Sequence, residues 1–100
     1  MEEVRVGMVG AGFAADFHAR CYDDVSGVRA SLVAVTSVRA ESREAFAAKH
    51  NIPSVYSNLE EMLAAEELDL IDLCVPTNMH AEYILQAARA GKHVVVEKPL

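Results

Sequence analysis

Val4-Arg5-Val6-Gly7-Met8-Val9-Gly10-Ala11-Gly12-Phe13-Ala14-Ala15 is the stretch that decides the fold. Its first six residues read as a buried strand, apolar and rich in valine. The chain then turns through G-x-G-x-x-A, with Gly10, Gly12 and Ala15 at the fixed positions, into a helical segment running from Ala14 to Tyr22. The pattern alone is weak, but a strand before it, a helix after it and another strand ~20 residues on form the context that gives it meaning. Gly10 permits the tight turn. Gly12, without a Cβ, lets a pyrophosphate approach the backbone, and Ala15 lets the helix pack closely on the sheet. Phe13 and Ala14, between the second glycine and Ala15, are further cofactor-binding candidates, and the unpaired N–H groups and positive dipole end of the helix face the phosphates. Two alternatives stay open here: a turn with no ligand, and the same fold holding S-adenosylmethionine or coenzyme A.

Working outward, strand-like and helix-like segments alternate along the whole chain. Ser31–Thr36 is a second β-branched run. Ala40–His50 is an Ala/Glu/Lys-rich helix, ended by Asn51-Ile52-Pro53 because proline disfavours helical geometry in the preceding residue. Val55-Tyr56 is a short third strand, and Ser57 with Glu60 has the form of a capping box opening a helix through Ala65. Leu70–Val75 is an apolar strand. Ala81, Ile84, Leu85 and Ala88 recur at helical spacing, with Gly91 placed to end that helix in a left-handed cap. His93–Val96 is the fifth strand. Such alternation predicts an α/β fold, a doubly wound parallel sheet of about five strands with right-handed crossovers. Near-continuous apolar strands agree, since parallel strands are covered on both faces.

Composition bounds the function. Over 100 residues, 52% hydrophobic and 24% charged content is that of one globular domain. A net charge of −6 disfavours general nucleic-acid binding. No apolar run approaches the ~20 residues a bilayer requires, and the acidic start Met1-Glu2-Glu3 does not read as a secretory leader, so a cytoplasmic protein is expected. Cys21 and Cys74, far apart among apolar neighbours, read as buried small hydrophobes. His18, His50 and His93 read as structural or surface residues, no pair having metal-ligand spacing.

The second strand of a dinucleotide-binding fold commonly ends in a carboxylate that bonds the adenine ribose. Here that place falls near Ser37, in Thr36-Ser37-Val38-Arg39, and no carboxylate appears before Glu41. A small hydroxyl beside an arginine suits a 2′-phosphate. NADP is therefore favoured over NAD, with Arg39 as the phosphate partner and Arg43 as its substitute.

The run Ala90-Gly91-Lys92-His93-Val94-Val95-Val96-Glu97-Lys98-Pro99-Leu100 closely resembles the A-G-K-H-V-x-x-E-K-P signature of the glucose–fructose oxidoreductase/inositol dehydrogenase (Gfo/Idh/MocA) family. Val75-Pro76-Thr77-Asn78-Met79-His80 resembles that family's T-P-x-x-x-H loop. With the glycine turn, three motifs fall in the family's order. The resemblance implies an NAD(P)-dependent oxidoreductase moving a hydride between a nicotinamide and a CH–OH group of a sugar, cyclitol or related substrate. It places Pro76, Thr77, Asn78 and His80 under the nicotinamide and Lys98 beside the reacting carbon, where its charge stabilises the substrate oxygen. Glu97 orients Lys98 or the loop. Family members carry further proton-transfer residues in a second α/β domain, for which Asp69 and Asp72 cannot substitute. Residues 1–100 are accordingly expected to be a nearly complete dinucleotide-binding domain, inactive alone, of a protein that assembles as a homo-oligomer. The competing classes are a non-catalytic dinucleotide-sensing module and a different enzyme on the same fold, such as a methyltransferase.

Overall fold

A computed structural model describes residues 3–22, 29–75 and 77–96. The elements follow in the order β1 (Glu3–Val9), α1 (Phe13–Tyr22), β2 (Arg29–Thr36), α2 (Ala40–His50), β3 (Ser54–Tyr56), α3 (Leu59–Ala65), β4 (Leu70–Leu73), a single 3-10 turn (Thr77–Met79), α4 (His80–Arg89) and β5 (His93–Val96). The five strands form one sheet in the order β3-β2-β1-β4-β5, and all its pairings are parallel. The chain starts in the middle, builds outward to β3, then crosses back over β1 to β4. That reversal puts the C-terminal ends of β1 and β4 side by side, where α/β sheets bind ligands.

Each face of the sheet carries an apolar core. On one, Met8 and Val35 pack with Ala15 and Ala19 of α1, Phe46 and Ala47 of α2, and Ile52. On the other, Val9, Ile71 and Leu73 pack with Leu59 and Met62 of α3, Leu68 and Ala87 of α4. Gly7 lies under α3, where an added Cβ would come within 2.9 Å of both Leu68 Cδ1 and Met62 Cε. A side chain at this position would push the ends of Leu68 and Met62 aside, so the glycine lets both pack directly against β1.

The helix ends are set by local chemistry. Arg39 precedes α2 in extended geometry (φ −106°, ψ 127°) without a side-chain cap. Asn51 ends α2 in the left-handed region (φ 56°), its N–H and that of Ile52 both reaching the Ala47 carbonyl. That asparagine cap stops the helix before Pro53 is reached. Gly91 takes φ +74° after α4, as its position implied. The capping box at Ser57 and Glu60 is out of frame by one residue. Asn58 is the cap, its side-chain oxygen accepting from the Glu61 N–H at 2.8 Å, because Asn58 is the last extended residue (φ −156°, ψ 167°). β4 also stops earlier than expected, at Leu73, as the chain leaves the sheet through Cys74.

Candidate cofactor site

Gly10 leaves β1 at φ +111°, with its N–H bonded to the Thr36 carbonyl at 2.8 Å. A Cβ here would stand 2.2 Å from the Cys74 carbonyl oxygen, so the turn passes directly against the end of β4. Gly12 accepts the first helical bond of α1, from the Asp16 N–H at 3.0 Å. A Cβ at Gly12 would meet nothing within 4 Å. The glycine at position 12 is thus not required by internal packing, and the space it leaves lies at the N-terminus of a ten-residue helix. Ala15 is fully buried beneath it.

This turn forms one wall of a crevice of about 480 Å³. Thr36, Ser37, Arg39 and Ser42 line the side toward α2, and Cys74, Val75 and Tyr83 the side toward α4. The structure therefore brings together Gly10, Gly12, Ser37 and Arg39, four positions singled out from the sequence. No Asp or Glu lines the crevice among the described residues. Ser37 donates through Oγ to the Arg39 carbonyl at 3.2 Å, and the Arg43 guanidinium donates to the Ser37 carbonyl at 3.0 Å. Arg43 thereby braces the loop, while Arg39 is exposed on the crevice wall.

The Asn78 side chain is exposed, and neither Asn78 nor His80 lines the crevice. His80 Nε2 lies 2.7 Å from the Val75 carbonyl oxygen, which can only accept, so His80 donates and ties α4 to the loop that leaves β4. Pro76, Glu97 and Lys98 fall outside the described residues, as do the side chains of Phe13 and Thr77.

Two polar clusters escaped the sequence reading. Asp16, in the first turn of α1, receives Lys49 Nζ at 2.7 Å and His50 Nε2 at 2.8 Å from the end of α2. The bond from Lys49, then that from His50, holds the Asp16 carboxyl below its ordinary range. Behind the turn, Asp72 of β4 is fully buried and is met by Tyr22 Oη at 2.7 Å and His18 Nδ1 at 2.9 Å, both from α1. Burial first, and then the Asp72 bond, push the Tyr22 phenol well above its ordinary value, so it stays a donor. Cys74 joins this cluster and is only half-buried, while Cys21 is exposed. Cys21 is thus not the buried hydrophobe expected, while Cys74 packs part-buried against the apolar core and also meets polar partners.

The family model described as "Oxidoreductase family, NAD-binding Rossmann fold" (GFO_IDH_MocA) matches residues 4–100. The chain belongs to this family. Among curated relatives of this Gfo/Idh/MocA domain, the 4-carboxy-2-hydroxymuconate-6-semialdehyde dehydrogenase of Sphingobium sp. is 37% identical over 97% of this chain and 30% of its own length. The D-glucoside 3-dehydrogenase of Escherichia coli is 38% identical over 96% of this chain and 27% of its own. Among solved structures, the biliverdin reductase of Synechocystis sp., in complex with biliverdin and NADP+, superposes with a TM-score of 0.84 at 30% identity, over 97% of this chain and 30% of that one. The chain thus spans less than a third of the proteins it matches. No helix among the described residues is long and apolar enough to cross a membrane.

Proposed function

We propose that this Gfo/Idh/MocA domain binds NADP in preference to NAD. We propose also that it forms the dinucleotide-binding part of an oxidoreductase moving a hydride between the nicotinamide and a CH–OH group of a sugar, cyclitol or related substrate. The observation that carries the reading is the open volume in front of Gly12, at the start of α1 and inside a crevice walled by β1, β2 and β4. Backbone N–H groups there suit a pyrophosphate without any side-chain charge. On the β2 side, one exposed arginine and an absence of carboxylates favour a 2′-phosphate. Arg39 is the phosphate partner in this reading, with Ser37 and Ser42 beside it and Arg43 as the brace.

A nicotinamide bound at the β4 end supplies the hydride donor or acceptor. In this reading Pro76, Thr77, Asn78 and His80 shape that end, with His80 acting through the Val75 carbonyl that it holds. Lys98 stabilises charge on the substrate oxygen, and Glu97 orients it. The D-glucoside 3-dehydrogenase relative supports a carbinol substrate. A second domain beyond this chain, a cytoplasmic setting and homo-oligomeric assembly belong to the same proposal.

The test is Gly12→Val, followed by the change in NADPH fluorescence on binding. Because a Cβ at Gly12 meets nothing within 4 Å, the variant keeps its circular dichroism. Affinity should fall at least 100-fold, and an unchanged affinity removes the turn from the phosphate site. In the complete enzyme, Lys98→Met should lower kcat on the order of 100-fold or more, the scale of losing a charge-stabilising donor. Cofactor affinity should stay within a few-fold. Near-normal turnover dismisses Lys98 from the reaction.

A further inference from the structure

We propose that His18, Asp72 and Cys74 form a binding site for a zinc-class divalent cation, on the α1 side of the sheet and behind the cofactor crevice, whose wall Cys74 shares. His18 Nδ1, Asp72 Oδ1 and Cys74 Sγ form a triangle with edges of 2.9, 3.4 and 3.4 Å. In a tetrahedral zinc site, with metal–nitrogen and metal–oxygen distances of about 2.0–2.2 Å and metal–sulfur of about 2.3 Å, neighbouring nitrogen and oxygen ligands lie roughly 3.3–3.6 Å apart. Edges to sulfur come out at about 3.5–3.7 Å on the same distances, so both sulfur edges, at 3.4 Å, need to open by only about 0.1–0.3 Å. The nitrogen–oxygen edge needs to open by about 0.4 Å, within the reach of a small His18 rotation. One face of a coordination tetrahedron is nearly in place.

Three further features fit a cation. A thiolate, a carboxylate and a neutral imidazole around a dication sum to zero charge, the arrangement that suits a fully buried carboxylate such as Asp72. Tyr22 donates to Oδ2 of Asp72 at 2.7 Å, which fixes the carboxylate; His18 Nδ1 lies 2.9 Å from both oxygens, and Oδ1 is the one that also meets Cys74. Hydrogen bonds of this kind orient metal ligands. Finally, a cavity of about 290 Å³ opens on His18, Tyr22 and Asp72, giving a route in and room for a water as fourth ligand. The exposed Cys21 lines that cavity but is no corner of the triangle, which makes it the internal control.

Cobalt(II) added to the chelator-treated chain should give a thiolate-to-cobalt charge-transfer band with the intense visible bands of a tetrahedral ion. The signal should saturate at one equivalent and be displaced by zinc. Cys21→Ser should keep it, Cys74→Ser should lose the charge-transfer band, and His18→Ala should weaken binding at least tenfold. Should a variant fail to fold, the unmodified chain still decides: zinc must protect Cys74, and not Cys21, from alkylation mapped by mass spectrometry. No cobalt band, a band that depends on Cys21, or equal alkylation with and without zinc each overturns the site.

Discussion

Gly10 and Arg39 show how differently two residues of one crevice are constrained. At Gly10 the backbone lies at φ +111°, and any Cβ would stand 2.2 Å from the Cys74 carbonyl. Gly10→Ala combines a conformational penalty with a clash against backbone that cannot rotate away. Roughly 3 kcal/mol or more of stability should be lost, visible as a lower urea midpoint. A loss under about 1 kcal/mol would mean that the turn relaxes freely. Arg39 makes no such structural contribution, being exposed at the crevice wall. Arg39→Ala should leave stability within about 0.5 kcal/mol and weaken NADP at least tenfold more than NAD, read by isothermal titration. Equal losses for both cofactors would take Arg39 out of the 2′-phosphate site. The sequence disclosed both residues because their signals are local. Gly10 belongs to a motif, and Arg39 follows a strand that ends without a carboxylate. Asp72 gave no signal of comparable kind. A lone aspartate in an apolar strand becomes meaningful only once α1 brings Tyr22 and His18 to it, from positions 50 and 54 residues away.

Between elements, short polar contacts fix how the helices sit. The five strands and the α/β alternation were legible because hydrophobic period and turn residues are local properties. The start of α3 was misread by one residue for a related reason. Ser57 and Asn58 both suit a helix N-cap, and only backbone geometry chooses between them. Asn58→Ala should therefore cost about 1 kcal/mol and Ser57→Ala almost nothing, as thermal unfolding would show. The opposite order would restore the Ser57 cap. Asp16 governs a larger contact, joining α1 to the end of α2 through Lys49 and His50. Its carboxyl is held below the ordinary value of 3.8, chiefly by the Lys49 bond. A depressed carboxylate contributes stability that is present above pH 3.8 and is lost as pH falls through the lowered folded value. Asp16→Asn should accordingly lower the Tm at pH 7, and the difference from the unmodified chain should vanish in strong acid. A difference that persists there would assign the effect to packing instead of charge.

For the molecule as a whole, binding and folding are coupled through the same crevice. Its walls come from β1, β2 and β4, joined through the Gly10 N–H to Thr36 and the Cys74 N–H to Val9, each at 2.8 Å. A ligand that grips this crevice therefore holds the centre of the sheet, while β5 remains an edge with Val95 41% exposed. Mass action sets the size of the effect. At 100 times its Kd, a ligand specific for the folded chain adds about 2.7 kcal/mol. In a domain of this size each kcal/mol raises the Tm by roughly 4–8 °C, so NADPH should raise it by roughly 10–20 °C. NADH should need a higher concentration for the same shift, and S-adenosylmethionine should produce none. The comparison separates the cofactor from the fold. Any ligand shift reports a filled crevice, but only a dinucleotide-selective shift, lost in Gly12→Val, reports a pyrophosphate at the start of α1. Protection by S-adenosylmethionine alone would make this sheet the frame of another chemistry.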